Sequence, residues 1–167
     1  MELYYYLSNN FSFYLLIYNI QSRNNIKILI KSAISYNCKK FLVLGKDKKI
    51  LEKFFNGEKE MTLKLKDYFE YFDNIESLKK YLKENNITPC GVEIGANCIP
   101  IQNHPFKGNT LFILGNEGTG LNNKQRELCE QFVFIQQYSE KTGSLNVAIA
   151  ASIIFYHFYV WNENKNV

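Results

Sequence analysis

Proline and glycine are scarce, with three Pro and nine Gly in 167 residues. Such low counts exclude collagen-like and low-complexity chains. Long apolar runs are missing too. No stretch approaches the ~18 unbroken apolar residues that a membrane helix needs, so no membrane partner is expected. Cysteine is sparse and unpaired in pattern: Cys38, Cys90, Cys98 and Cys129 form no C-x-x-C. Neither histidine, His104 or His157, stands at zinc-ligand spacing from them. The expectation is reduced thiols, no metal site, and a cytoplasmic protein, with the nucleus as the second compartment. The opening Met1-Glu2-Leu3-Tyr4-Tyr5-Tyr6 carries no basic residue, and Asn9 and Asn10 break the apolar stretch. A secretory signal is therefore not expected, and Asn10-Phe11-Ser12 is a chance sequon. Arginine is nearly absent: two Arg accompany 18 Lys against 16 acids, for a net charge of +4. This mild basic balance permits a polyanion partner without demanding one.

What is present argues for a folded core. Hydrophobic residues make up 46% and aromatics 16% of the chain, which opposes disorder. The length suits one domain, residues 1–167, and no appended domain is expected. Short apolar runs read as buried strands: Tyr14–Ile17, Phe41–Leu44, Gly91–Ile94, Leu111–Leu114 and Phe132–Ile135. Between them lie helical patterns. Ile26, Leu29, Ile30 and Ala33 recur at helical spacing, as do Ile75, Leu78 and Leu82. Asn122 with Gln125 reads as a capping box, and Asn146 to Tyr159 as a long apolar helix. Lys46 to Tyr71 gives no clear pattern. Alternating strands and helices predict an α/β parallel sheet with helices on both faces. Ligands of such sheets sit beyond the carboxyl ends of the strands.

Three segments carry the chemistry. Leu114-Gly115-Asn116-Glu117-Gly118-Thr119-Gly120-Leu121 follows a strand and precedes a helix. Its G-x-x-G-x-G spacing is neither the dinucleotide fingerprint nor a P-loop, and Glu117, read as a buried-loop carboxylate, would repel phosphate. A tight turn with glycines at positive φ is the plain alternative for this segment. Thr142-Gly143-Ser144-Leu145-Asn146-Val147-Ala148 runs into the last helix, with Ser144 or Asn146 as its N-cap. A Ser-His-Asp hydrolase is disfavoured, because G-x-S-x-G is absent and neither histidine has a neighbouring acid. In the third segment, Asn25 stands at a plausible N-cap, and Lys27 and Lys31 share a helical face. Lys31 is placed on roughly the same side as Asn25. A solvated lysine stripe is the plain alternative.

In this order the three segments resemble the SPOUT methyltransferases, in the TrmH (SpoU-type) branch of RNA ribose 2'-O-methyltransferases. The family's N-x-G-x-x-x-R-[ST]-A is similar to Asn25-Ile26-Lys27-Ile28-Leu29-Ile30-Lys31-Ser32-Ala33. Its G-x-E-x-x-G-[LIM] matches Gly115 to Leu121, and its I-P-x followed by S-L-N-V resembles Ile135-Gln136-Gln137 and Ser144-Leu145-Asn146-Val147. Gly91-Val92-Glu93-Ile94-Gly95-Ala96-Asn97 resembles the fourth-strand region of the tRNA guanosine members. The likeness covers roughly residues 13 to 160.

The resemblance implies a parallel sheet with a C-terminal trefoil knot, a homodimer, S-adenosylmethionine (SAM) as cofactor and no metal. It implies methyl transfer to a ribose 2'-hydroxyl of RNA, with tRNA as the first candidate and rRNA as the second. Carried over, Lys31, Asn25, Glu117, Ser144 and Asn146 are the catalytic set. Ile94, Gly95, Leu114, Gly115, Gly120, Ile135, Ser144 and Leu145 are the cofactor contacts. Ile153, Phe155, Phe158 and Trp161 of the last helix fit a dimer interface or a core. The chain departs from the pattern at four points. Lys31 replaces the arginine, Lys27 the glycine and Gln136 the proline, and the Ile135–Ser144 spacing is one residue longer. Lysine lacks the planar fork of arginine, which raises a second reading: a catalytically silent member that binds RNA or a partner chain. A nucleotide-binding Rossmann protein is a distant third.

Overall fold

A computed structural model describes residues 11–45, 55, 59–139, 141 and 143–165. The expectations on residues 1–10 and Thr142, and much of those on Lys46 to Tyr71, fall outside them. Seven strands form one sheet: β1 (Phe13–Ile17), β2 (Lys40–Leu44), β3 (Phe69–Phe72), β4 (Thr88–Val92), β5 (Ile99–Pro100), β6 (Thr110–Leu114) and β7 (Gln131–Phe134). Their order is β3-β2-β1-β6-β4-β7-β5, and every pairing is parallel. Among the described residues five helices accompany them: α1 (Arg23–Ser35), α2 (Lys59–Leu65), α3 (Ile75–Glu84), α4 (Asn123–Leu128) and α5 (Val147–Glu163).

Alternation along the strands divides the core in two. Phe13, Leu15, Ile17, Phe41, Val43 and Phe112 point to one face, covered by α1 and α5. Tyr14, Leu16, Leu42, Leu111 and Ile113 point to the other, under Leu78 and Leu82 of α3 and Leu128 of α4. Strands buried on both faces explain the unbroken apolar runs in the sequence. Aromatic stacking fixes α5: the Phe13 and Phe155 rings lie 4.7 Å apart, and Phe112 meets Phe158 edge-on. Asn162 near the end of α5 clamps the start of β1. Its Nδ2 donates to the Phe11 carbonyl at 2.7 Å, and its Oδ1 accepts from the Phe11 N–H at 3.2 Å.

Several expectations shift. The strand read as Gly91–Ile94 spans Thr88–Val92. Pro89 argues against a central strand, yet it sits near the strand start and its carbonyl accepts from Glu130 N–H at 2.9 Å. Ile94 lies past the strand end and is 58% exposed. β3 and the two-residue β5 were not read from the sequence. Asn25 is not the N-cap of α1. Ser22 is, accepting from the Asn25 N–H at 3.2 Å. At the start of α5, Asn146 and not Ser144 is the cap. Phe155, Phe158 and Trp161 are core residues, whereas Ile149 and Tyr156 of α5 are 56% and 53% exposed. All four cysteines are free thiols. No helix among the described residues is long and apolar enough to cross a membrane.

Candidate active site

The carboxyl ends of β4, β6 and β7 converge on a cavity of about 560 Å³, where Val92, Leu114 and Phe134, the last residue of each strand, form its floor. This is the position at which open parallel sheets bind ligands, and the volume suits a nucleoside-sized molecule. Three loops wall it, following β4, β6 and β7.

The glycine-rich loop after β6 is folded by its own atoms. Asn116 and Gly120 exchange two backbone hydrogen bonds of 2.9 Å. The buried Asn116 side chain accepts from the Gly118 and Thr119 N–H groups at 2.9 and 3.2 Å. Two glycines are sterically required. A Cβ on Gly115 would lie 2.5 Å from the Gly120 backbone carbon, and Gly120 adopts φ +70°. Gln125, buried in α4, completes the capping box and donates from Nε2 to the Leu114 carbonyl at 2.9 Å. The end of β6 is thereby anchored to α4.

Glu117 leaves this loop toward α1, and it is exposed rather than buried. Its Oε1 accepts from Asn25 Nδ2 at 2.8 Å and from the Ser22 N–H at 3.2 Å, and its Oε2 from the Gln21 N–H at 3.3 Å. Burial works against its charge. The donors at Asn25, Glu117 itself, Gln21 and Ser22 outweigh that, holding the carboxyl below the usual carboxylate range. The other half of Asn25 faces α5, where its Oδ1 accepts from Asn146 Nδ2 at 3.2 Å. Asn146 Oδ1 in turn caps α5 through the Ala148 and Ile149 N–H groups. Asn146, Asn25 and Glu117 thus form one hydrogen-bonded chain from three separate segments.

Of the expected cofactor contacts, Ile94, Leu114, Gly115, Gly120, Ile135, Ser144 and Leu145 line the cavity, and Gly95 does not. Of the expected catalytic set, Glu117, Ser144 and Asn146 line it, and Asn25 stands behind them. Lys31 stands apart. Six residues of helix advance 600°, which leaves Lys31 about 120° around the axis from Asn25 rather than on its side. Asn25 is buried and Lys31 exposed. Sequence reading gave no role to Glu93, Gln137 or Ala150, which also line the cavity. Glu93 carried a signal in retrospect, being a carboxylate one residue beyond a strand's carboxyl end. Both its oxygens accept from the Arg126 guanidinium of α4. Among the described residues no group of His, Cys, Asp and Glu could hold a metal ion.

Residues 12–156 match the model of the SpoU rRNA Methylase family. A curated relative is the 23S rRNA (guanosine-2'-O-)-methyltransferase RlmB of Acinetobacter baylyi, 36% identical over 66 residues, 40% of this chain and 26% of RlmB. Among solved structures, the SpoU methyltransferase AviRb from Streptomyces viridochromogenes in complex with AdoMet superposes with TM-score 0.73 at 23% identity. The match covers 93% of this chain and 59% of that one. The A. aeolicus TrmH/SpoU tRNA modifying enzyme gives TM-score 0.71 at 19% identity, covering 95% and 78%. This chain therefore spans about a quarter of RlmB and three fifths of AviRb. With the family model spanning most of its length, the chain belongs to the SpoU rRNA methylase family.

Proposed function

We propose that this protein transfers a methyl group from SAM to a ribose 2'-hydroxyl of RNA. The observation that carries the reading is the Asn146–Asn25–Glu117 chain at the mouth of a nucleoside-sized cavity. The cavity fits an adenosyl cofactor. Its wall combines the apolar Ile135, Leu145 and Val147 with the bare backbone of Gly115, whose missing Cβ keeps the loop closed. When bound, that cofactor supplies an electrophilic methyl group on a sulfonium.

The chain's own residues align and relay. Glu117 fixes the Asn25 amide, and Asn25 fixes Asn146. With Asn25 and Glu117 locked behind it, Asn146 presents a set geometry beside Ser144 toward the reacting hydroxyl. Alignment is the larger part of the task for so weak a nucleophile. Lys31, exposed on α1, meets RNA rather than cofactor. There it contacts the target phosphate, and the hydroxyl proton passes to water. We further propose a homodimer, supported by the exposed Ile149 and Tyr156 of α5 and Ile28 of α1, and a trefoil knot in the C-terminal part. The insertion of β6 between β1 and β4, with β7 beyond β4, supports the knot. The RNA class proposed first is tRNA.

The test is methyl transfer from labelled SAM to total RNA, fractionated into tRNA and rRNA and then digested with alkali. Label in an alkali-resistant dinucleotide is expected, since a 2'-O-methyl blocks cleavage. Label elsewhere defeats the ribose assignment. The position of Lys31 outside the cavity favours one second reading, a silent member that binds cofactor and RNA without turnover. It predicts S-adenosylhomocysteine binding with no label.

A further inference from the structure

Six polar side chains line the cavity among the described residues: Glu93, Asn116, Glu117, Gln137, Ser144 and Asn146. Three of them are spent on the protein. Asn116 holds its own loop and donates from Nδ2 to the Asn19 carbonyl at 3.3 Å. Glu117 serves α1, and Asn146 serves Asn25 and the start of α5. Gln137 and Ser144 belong to the long loop after β7.

Glu93 differs. Its backbone N–H donates to the Val133 carbonyl at 3.0 Å, so the residue is held by the sheet itself. Its carboxylate takes the two-pronged guanidinium of Arg126, and Arg126 is pinned at its other end, Nε donating to the Leu121 carbonyl at 3.2 Å. The Glu93 side chain is 19% exposed. The neighbouring Gly120 has no side chain to cover it: a Cβ there would stand 3.5 Å from Glu93 Oε1. A carboxylate offers about four acceptor sites, and a bidentate arginine uses two. The arginine takes the two inner sites, and the outer ones diverge, so the fixed carboxylate offers the cavity a single acceptor site on each oxygen.

We propose that Glu93, positioned by Arg126, accepts from a ribose hydroxyl of the adenosyl cofactor and so makes this site selective for a ribose that carries it. This rests on the cofactor reading above. The outer acceptor site of Oε1, the oxygen that Gly120 leaves uncovered, takes the hydroxyl. The adenine then lies against the apolar wall at Ile135 and Leu145.

Calorimetric titration of the full chain tests this with S-adenosylhomocysteine and its 2'-deoxy and 3'-deoxy analogues. Removal of one of the two hydroxyls should weaken binding about tenfold, as loss of a hydrogen bond to a charged group does, and removal of the other far less. Glu93→Gln should weaken the parent ligand by a similar factor and the analogue lacking the first hydroxyl far less. Arg126→Lys keeps the charge, loses the fork, and should erode the same preference if Glu93→Gln folds poorly. Equal weakening of all three ligands by Glu93→Gln would make the pair a loop tie only and overturn the proposal. So would a wild-type protein indifferent to both hydroxyls. If none of the three ligands binds, the cofactor reading fails and carries this inference with it.

Discussion

Asn25 and Glu117, ninety-two positions apart, meet through a hydrogen bond of 2.8 Å from amide to carboxylate. The contact ties the first helix to the loop after β6, and it exists because Ser22 performs the capping that Asn25 would otherwise do. Capping by Ser22 leaves the Asn25 side chain to donate toward Glu117 and accept from Asn146.

The first prediction concerns pH. The Glu117 carboxyl is held below its usual value in the folded state. Its contribution to stability is therefore complete above the unfolded-chain value of about 4.3 and is lost as pH falls through the lower folded value. Denaturant unfolding of wild type and Glu117→Gln should show a gap that is constant from pH 6 upward, by the same linkage, and closes in acid. A gap that widens in acid would contradict the assignment.

Lys31 gives the second. Because it lies outside the cavity, Lys31→Ala should leave the affinity for S-adenosylhomocysteine unchanged. Methyl transfer to RNA should fall about tenfold or more, as loss of a hydrogen bond between charged groups does. Lys31→Arg separates a weakened enzyme from an adapted one: activity rises in the first case and falls in the second.

The glycine loop supplies a graded series. Gly115→Ala places a Cβ 2.5 Å from backbone and should abolish cofactor binding. Gly120→Ala meets a left-handed backbone at φ +70° and should cost about 1–2 kcal/mol of stability. Gly118→Ala, whose nearest neighbour would be 3.6 Å away, should be tolerated. Thermal melts with and without S-adenosylhomocysteine rank the three.

Gln125 anchors Leu114, the strand end beneath the cavity. Gln125→Ala removes a buried partner and opens the capping box, so a loss of about 1–3 kcal/mol is expected. Hydrogen exchange should then quicken first at the amides of α4.

Burial pushes the Cys90 thiol up to about 12, with Cys98 adding to the shift. Cys129 also reaches about 12, through burial and then Cys90 and Glu93. Alkylation at neutral pH should therefore be slow at both in the native protein and fast once it is unfolded. Mass mapping after a timed iodoacetamide pulse reads this directly.

The legible parts of this chain were those in which one physical signal dominated. Apolar runs such as Leu111–Leu114 announced buried strands, and the Asn122–Gln125 spacing announced its helix. β4 was mislocated because Pro89 masked its start, and β5 is too short to carry a pattern. β3 hid in a lysine-rich stretch, where Glu70 pairs with Lys40 at 2.8 Å instead of marking a loop. The cavity loops were legible from motif spacing. The roles within them were less so, because they depend on which atoms are already used. Nothing in the string says that Asn25 is released by Ser22, or that Glu93 is gripped by Arg126.

Asn162 grips Phe11, 151 positions away, and the β1 face it closes is covered by Phe155 and Phe158 of α5. Parallel pairing between distant segments is slow to form. During synthesis, β1 emerges well before α5, the helix that covers it. Until α5 arrives, the Asn146 end of the relay and the Val147 and Ala150 wall of the cavity do not exist. The protein consequently acquires its ligand site only once α5 has been made, and a chain stopped short of α5 exposes a sheet face rich in phenylalanine as a target for chaperones.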